Sequence, residues 1–261
     1  MTASDGPLAG STVLVVGAGT QPTDDEDAPV GNGRAIAVLA ARAGARVVCA
    51  DRDAAGAEAT AELVRAEGAE AVVTVGDVRH EEACAALVAE AVGTAGPELH
   101  GVVLNVGIGR GAGLEGTSPK DWDTVFAVNL RSHFLVARAA APHVPAGGSF
   151  VFISSMAGLR PGSRSPAYDA SKAGIIGLNR HVALEYARKG VRSNVVAPGL
   201  IDTPMGRNAT RGRPSRGRTP VPLGRQGTGW EVAEVTCFLL SGAASYVTGQ
   251  VVAVDGGLGL I

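Results

Sequence analysis

Valine-rich apolar runs recur at Thr12–Val16, Arg46–Ala50, Ala71–Val75, Gly101–Leu104, Ser149–Ile153, Val191–Val196 and Val251–Val254. None shows the apolar–polar alternation of a strand with one wet face, so each reads as a strand covered on both sides. Helical patterns fill most of the gaps, over Gly33–Ala43, Ala54–Glu67, Glu81–Val92, Pro119–Ala141, Ala167–Lys189 and Trp230–Leu240. Such alternation predicts a single Rossmann-like, doubly wound α/β domain over residues 1–261. Its seven-stranded parallel sheet would carry helices on both faces and ligands at the carboxyl ends of the strands. Two segments break the rhythm. Thr20–Val30 (TQPTDDEDAPV) is acidic, holds two prolines and reads as a loop. Met205–Leu223 scatters Arg207, Arg211, Arg213, Arg216 and Arg218 among glycines and prolines, and a long loop in a compact domain reads as a lid or as disordered.

Composition narrows the functional classes. Of 261 residues, 46 % are apolar and 18 % charged, enough for one well-buried core. A net charge of −2 gives no general attraction for nucleic acid or an anionic membrane, and the arginine-rich stretch lacks the interleaved aromatics of a nucleic-acid surface. Cys49, Cys84 and Cys237 are odd in number, lack metal-ligand spacing and sit in apolar patterns, so they read as buried hydrophobes with no metal site. Met1–Gly10 has neither the basic end nor the apolar run of a secretory leader, and no later segment has the ~18 apolar residues of a spanning helix. A soluble, cytoplasmic protein is expected.

The chemistry begins after the first strand, at Val16-Gly17-Ala18-Gly19-Thr20, with a helix opening only at Gly31-Asn32-Gly33. Glycines at a strand-to-helix turn let backbone N–H groups approach a pyrophosphate, although an ordinary turn fits the same residues. The second strand ends in Asp51-Arg52. A carboxylate there accepts hydrogen bonds from an adenosine ribose and repels a 2′-phosphate, which points to NAD rather than NADP, while Arg52 pulls mildly the other way. Asp77-Val78 and Asn105-Val106-Gly107 follow the third and fourth strands, where the rest of the cofactor would lie; a cap or turn role fits each equally well.

The segment that carries reactivity runs from Ser155 through Ser165-Pro166-Ala167-Tyr168 to Lys172. Ser165 reads as an N-cap and Pro166 as the first helical residue, placing Tyr168 in the first turn and Lys172 on the same face. A phenol is a poor base at neutral pH. Positive charge from Lys172 and from an oxidised nicotinamide would lower its pKa, so that Tyr168 exchanges a proton with a substrate oxygen. Ser155, at the end of the fifth strand, can hydrogen-bond that oxygen. Asn129, inside the long helix from Pro119, could hold a water that links Lys172 to solvent.

Taken in order, these residues resemble the classical short-chain dehydrogenases/reductases over nearly the whole chain. The resemblance rests on the glycine turn, Asp77, Asn105-Val106-Gly107, Asn129, Ser155, Tyr168-x-x-x-Lys172, Pro198-Gly199-Leu200-Ile201-Asp202-Thr203 and the ending Tyr246–Gln250 with Asp255-Gly256-Gly257. It implies a hydride transfer between a nicotinamide cofactor and a secondary alcohol or ketone, with Asn129, Ser155, Tyr168 and Lys172 as the catalytic set. It also implies cofactor contacts from Gly17, Gly31, Asn32, Gly33, Pro198, Gly199, Ile201, Thr203 and Lys172, a substrate lid over 204–223, and a homotetramer or homodimer. A 3-oxoacyl thioester reductase using the arginine-rich lid and a catalytically silent NAD-binding sensor are the alternatives. This chain departs from the family at Val16 and Leu104, and by roughly ten residues inserted between Gly17 and Gly31. Loop-closure entropy grows slowly with length, so the insertion is expected to loop outward; a cover over the cofactor is the alternative.

Overall fold

The computed structural model describes residues 6–21, 25, 27–211 and 213–261. Its strands are β1 (Thr12–Val16), β2 (Arg46–Asp51), β3 (Ala71–Val75), β4 (Gly101–Leu104), β5 (Ser149–Ile153), β6 (Arg192–Pro198), β7 (Ile201–Asp202), β8 (Gly227–Thr228) and β9 (Val251–Val254). Seven of them form one parallel sheet in the order β3-β2-β1-β4-β5-β6-β9, and β7 pairs with β8 beside it. Because the strand order reverses between β1 and β4, a crevice opens at their carboxyl ends.

The continuous apolar runs are explained by a core on each face. In β1, Val13 and Val15 point into one core and Leu14 and Val16 into the other. Helices α1 (Asn32–Arg42), α2 (Ala54–Ala66) and α9 (Gly229–Leu240) contribute Ile36, Val64 and Leu239 to the first. Helices α3 (Glu81–Ala95), α5 (Ser132–Ala140) and α6 (Pro166–Tyr186) contribute Leu87, Val136 and Ile175 to the second. Burying each such side chain is worth about 1.5–3 kcal/mol. Arg192 is a buried cation on β6 whose guanidinium donates to the carbonyls of Leu239, Leu240 and Ser241, satisfying the orphan acceptors at the end of α9. The three cysteines are buried and free, and no helix among the described residues is long and apolar enough to cross a membrane.

Two expectations need correction. The helix expected over Pro119–Ala141 is α4 (Pro119–Phe126), a π-helical turn at Ala127–Arg131, and then α5. One extra residue in that turn rotates Asn129 inward until it is fully buried, a change that hydrophobic periodicity does not signal. The second correction concerns the arginine-rich stretch, which forms α7 (Pro204–Arg211) and α8 (Pro214–Gly217) rather than a plain loop. Each opens on a proline, which ends an extended segment but is well placed in a first helical turn.

Candidate active site

At the carboxyl edge of the sheet lies a cavity of about 1010 Å³, lined from Val16 through Leu258 by residues of nearly every strand end. Gly17 (φ +88) and Gly33 make its floor: a Cβ on Gly33 would lie 1.9 Å from the Gly17 carbonyl oxygen, so the turn and α1 can meet only as glycines. Asn105 locks this contact by donating from Nδ2 to the Gly17 carbonyl at 2.8 Å, so its side chain holds the turn rather than facing the cavity freely. The insertion leaves the turn intact. Thr20 and Gly31 lie side by side, a Cβ on Gly31 falling 3.5 Å from Thr20 Oγ1. Its far end does not hang free, because Asp25 pairs with Arg207 of α7 at 2.5 Å and Arg207 also donates to the Asp27 carbonyl at 3.2 Å. The rest of the expected loop, residues 22–24 and 26, lies outside the described residues.

Asp51 stands at the end of β2 and accepts from the Gly19 N–H at 2.9 Å and the Asp53 N–H at 3.1 Å, which fixes its carboxylate at the cavity wall. Arg52 and Asp53 line the same wall. Asp77 is clasped by Arg79, whose Nε and Nη2 donate to both carboxylate oxygens, and this pairing holds its pKa down at about 2. The sequence reading missed that clasp, although a cation two residues after a strand-end acid was its signal. Val78, Val106, Gly107, Pro198, Gly199, Ile201 and Thr203 complete the cofactor-facing lining. Thr203 Oγ1 accepts from the Gly206 N–H at 3.0 Å, starting α7. Thr20 Oγ1 and Asn32 Oδ1, both at the glycine turn, are buried without a hydrogen-bond partner among the described residues.

The four residues expected to carry the chemistry converge. Ser165 caps α6, accepting from the Tyr168 N–H at 3.4 Å, with Pro166 in the first turn as predicted. Ser154 at the end of β5 donates to the Lys172 carbonyl at 2.8 Å, which docks α6 onto the strand and sets Ser155 beside Tyr168. The phenol is half-buried in the cavity wall, where the neighbouring Ser155 hydroxyl favours its ionised form. Lys172 Nζ lies 5.7 Å from the tyrosine ring centre and donates to the Ile153 carbonyl at 2.9 Å. Asn129 accepts from the Ile108 N–H at 2.8 Å and donates to the Ile108 carbonyl at 2.9 Å and to Ser171 Oγ at 3.1 Å. Its amide therefore holds the strand-end loop beside Lys172 rather than reaching the ammonium itself.

The electrostatics differ from the expectation in one respect. Burial raises the Tyr168 pKa above its ordinary value, and Ser155 and Arg216 of α8 oppose this while Asp169 adds to it. The lysine is itself enclosed, and desolvation brings its pKa down to about 7, so at neutral pH it is only partly charged. His133 behind the site is buried, its Nε2 3.1 Å from the Leu104 carbonyl, and stays neutral with a pKa lowered to about 3 by burial.

The five arginines of the α7–α8 stretch divide by task. Arg207 pairs with Asp202 and Asp25. Arg211 and Arg218 are exposed, whereas Arg213 and Arg216 are half-buried and line the cavity. Arg160 and Arg164, which the sequence reading did not single out, line the same end.

A family model described as enoyl-(acyl carrier protein) reductase matches residues 29–259. The mouse (3R)-3-hydroxyacyl-CoA dehydrogenase is 37 % identical over 96 % of this chain and 97 % of its own length. Among solved structures, a Burkholderia xenovorans protein assigned to the short-chain dehydrogenases/reductases superposes with a TM-score of 0.90 at 37 % identity, covering 98 % of this chain and 99 % of that one. A structure from Agrobacterium tumefaciens with bound NADP gives a TM-score of 0.83 at 35 % identity, covering 96 % and 97 %. With likeness of this extent over the sheet and the site, the chain belongs to the short-chain dehydrogenase/reductase family and is an oxidoreductase acting on a secondary alcohol or its ketone.

Proposed function

We propose that Tyr168 is the proton-transfer group of this oxidoreductase, assisted by Ser155, Lys172 and Asn129, and that NAD is the preferred cofactor. The observation that carries the reading is the meeting of the Tyr168 phenol, the Ser155 hydroxyl and Lys172 in one cavity against the end of β5. The residues present fit a dinucleotide. Gly17 and Gly33 leave the helix N-terminus open to a pyrophosphate, and the unpartnered Thr20 hydroxyl and Asn32 Oδ1 suit phosphate and sugar groups. Asp51, with Arg52 beside it, would take the adenosine ribose, and Asp77 and Val78 would flank the adenine. Val106, Gly107, Pro198, Gly199, Ile201, Thr203 and Lys172 would surround the nicotinamide half, over the loop that Asn105 holds. When bound, the nicotinamide supplies the hydride for reduction or takes it for oxidation.

The protein's own part is proton transfer and charge control. In reduction, the Tyr168 hydroxyl donates its proton to the developing alkoxide while Ser155 hydrogen-bonds the same oxygen. In oxidation, the phenolate takes the proton back, and Ser155 and Arg216 offset the burial that opposes it. Lys172, with a pKa of about 7, gains or loses a proton readily at neutral pH and can pass it toward solvent past the Asn129–Ile108 contact.

Asp51 supports NAD, since its fixed carboxylate would meet a 2′-phosphate with repulsion. The likeness to a (3R)-3-hydroxyacyl-CoA dehydrogenase supports a second reading, reduction of a 3-oxoacyl thioester. The apolar face lined by Phe126, Leu130, Phe134 and Leu178 supports assembly into a homodimer or homotetramer. A panel of ketones and 3-oxoacyl thioesters assayed with NADH and with NADPH tests the whole reading. NADH-linked turnover at least tenfold more efficient than NADPH-linked turnover is expected. Tight NADH binding with no turnover would point instead to a silent sensor.

A further inference from the structure

Acids are confined to one end of the cavity. Those that line it, Asp51, Asp53 and Asp77, all stand at the ends of β2 and β3 with Arg52 among them, and Asp77 is already paired with Arg79. Around the other end stand Arg160, Arg164, Arg213 and Arg216, with no acid among the described lining residues. Arg213 donates from Nη1 to the Ser163 carbonyl, and Arg216 donates from Nη1 to the Gly206 carbonyl at 3.0 Å and to Thr210 Oγ1 at 2.7 Å. In both, the Nε and Nη2 edge makes no hydrogen bond with the described residues, and among those residues neither arginine has a carboxylate within ion-pair distance. That edge is the two-donor fork that matches a carboxylate, sulfonate or phosphate. Arg213, Arg216 and Tyr168 line the same cavity, and Arg216 feels the charge of both neighbours, so two half-buried cations stand near the reactive phenol. Uncompensated like charges at such a site disfavour the folded arrangement, and an anion between them removes the penalty.

We propose that Arg213 and Arg216 form the anion-binding end of the substrate pocket, and that the substrate is a small hydroxy or oxo compound bearing an oxyanion group a few bonds from the reacting carbon. The inference rests on Tyr168 being the proton-transfer group, because Arg216 is placed relative to it. It narrows the substrate class, and it separates these two arginines from Arg207, whose charge is taken up by Asp202 and Asp25.

The test measures NADH-linked reduction of acetoacetate, levulinate and acetonylsulfonate beside the methyl esters of the two carboxylic acids. Each acid should exceed its ester in kcat/KM at least tenfold, mostly through KM, and acetonylsulfonate tells a carboxylate site from a general oxyanion site. In Arg216→Gln and in Arg213→Gln the acid-to-ester ratio should fall at least tenfold, with partial recovery in Arg216→Lys. The ratio is internal to each variant, and bound-NADH fluorescence confirms that the variant is folded. Acids and esters reduced equally by the native protein, or an acid-to-ester ratio unmoved in both glutamine variants, would overturn the proposal. If no ketone of either kind is reduced, the oxidoreductase reading fails for this panel, and calorimetric titration of the NADH-loaded protein decides the anion site separately. Binding of levulinate but not methyl levulinate, lost in Arg216→Gln, upholds it; equal binding or none overturns it.

Discussion

At the β2–β3 end of the cavity, binding groups are made by main chain and short acids: Gly17 against Gly33, Asp51 held by two backbone N–H groups, and Asp77 clasped by Arg79. At the α7–α8 end they are long cations, Arg213 at the start of α8 and Arg216 within it, each tied to the protein by one edge of its guanidinium. The first end is rigid because Gly17 and Gly33 meet backbone to backbone, an approach that no side-chain rotation can relieve, and Asp51 is pinned by main-chain donors. The second is adjustable, since Arg213 and Arg216 can swing about their remaining bonds. A fixed site suits a partner that is the same in every turnover, and an adjustable one suits the partner that defines this particular chain. Tyr168 sits between them, beside Ser155 and biased by Arg216.

Variants at the two ends should therefore separate, and the residue between them should matter most. Tyr168→Phe removes the proton-transfer group, so kcat should drop about 10²- to 10⁴-fold while NADH affinity, measured by fluorescence, changes little. A comparable loss of affinity would show that Tyr168 serves binding instead. Gly33→Val drives a side chain into the Gly17 carbonyl, and we expect loss of NADH binding together with about 1–3 kcal/mol of stability by urea unfolding. Asp51→Ser removes the fixed carboxylate and should reduce the NAD-to-NADP ratio of kcat/KM roughly 10- to 100-fold. An unchanged ratio would transfer cofactor choice to Arg52.

Lys172 provides a smaller, pH-dependent test. Its folded pKa of about 7 lies below the ordinary 10.5, so between these values the unfolded chain holds a proton that the folded protein does not. Folding stability from this group consequently rises with pH across that window and is flat below it. Measured against Lys172→Met, the native protein should gain on the order of 1 kcal/mol per pH unit above neutrality, and parallel pH profiles would contradict the desolvated lysine. The smallest effect is expected at Arg207, a half-buried residue whose ion pairs are partly open to solvent. Arg207→Leu should release α7 from Asp25 and speed tryptic cleavage after Arg211 and Arg218 severalfold, with NADH binding retained. Unaltered cleavage would mean that the insertion does not steady α7.

The same contrast governs what could be read from the chain. The sheet was legible because strands buried on both faces need continuous apolar runs, and β1 supplies Val13 and Val15 to one core and Leu14 and Val16 to the other. Ser165-Pro166 announced the start of α6, which made the meeting of Tyr168 and Lys172 on one face predictable. Asn129 was legible as a residue but not as a geometry, since its inward turn depends on one extra residue in a π-helical turn. The lid was misread because glycines and prolines hide two short helices. Which of its five arginines face the cavity depends on tertiary pairing, Arg207 with Asp25 being a contact across 182 positions. The electrostatics at Tyr168 were least legible: burial raises its pKa, and one cation that favours the phenolate, Arg216, comes from α8, far along the chain.

The most direct test of the account is a single-turnover reaction of NADH deuterated at the transferable nicotinamide position with levulinate, comparing the native protein with Tyr168→Phe at equal cofactor occupancy. The account predicts deuterium on the carbinol carbon of the product, at a rate lower in the variant by about 10²- to 10⁴-fold. Equal rates in the two proteins, or NADH consumed with no deuterium on that carbon, would contradict it.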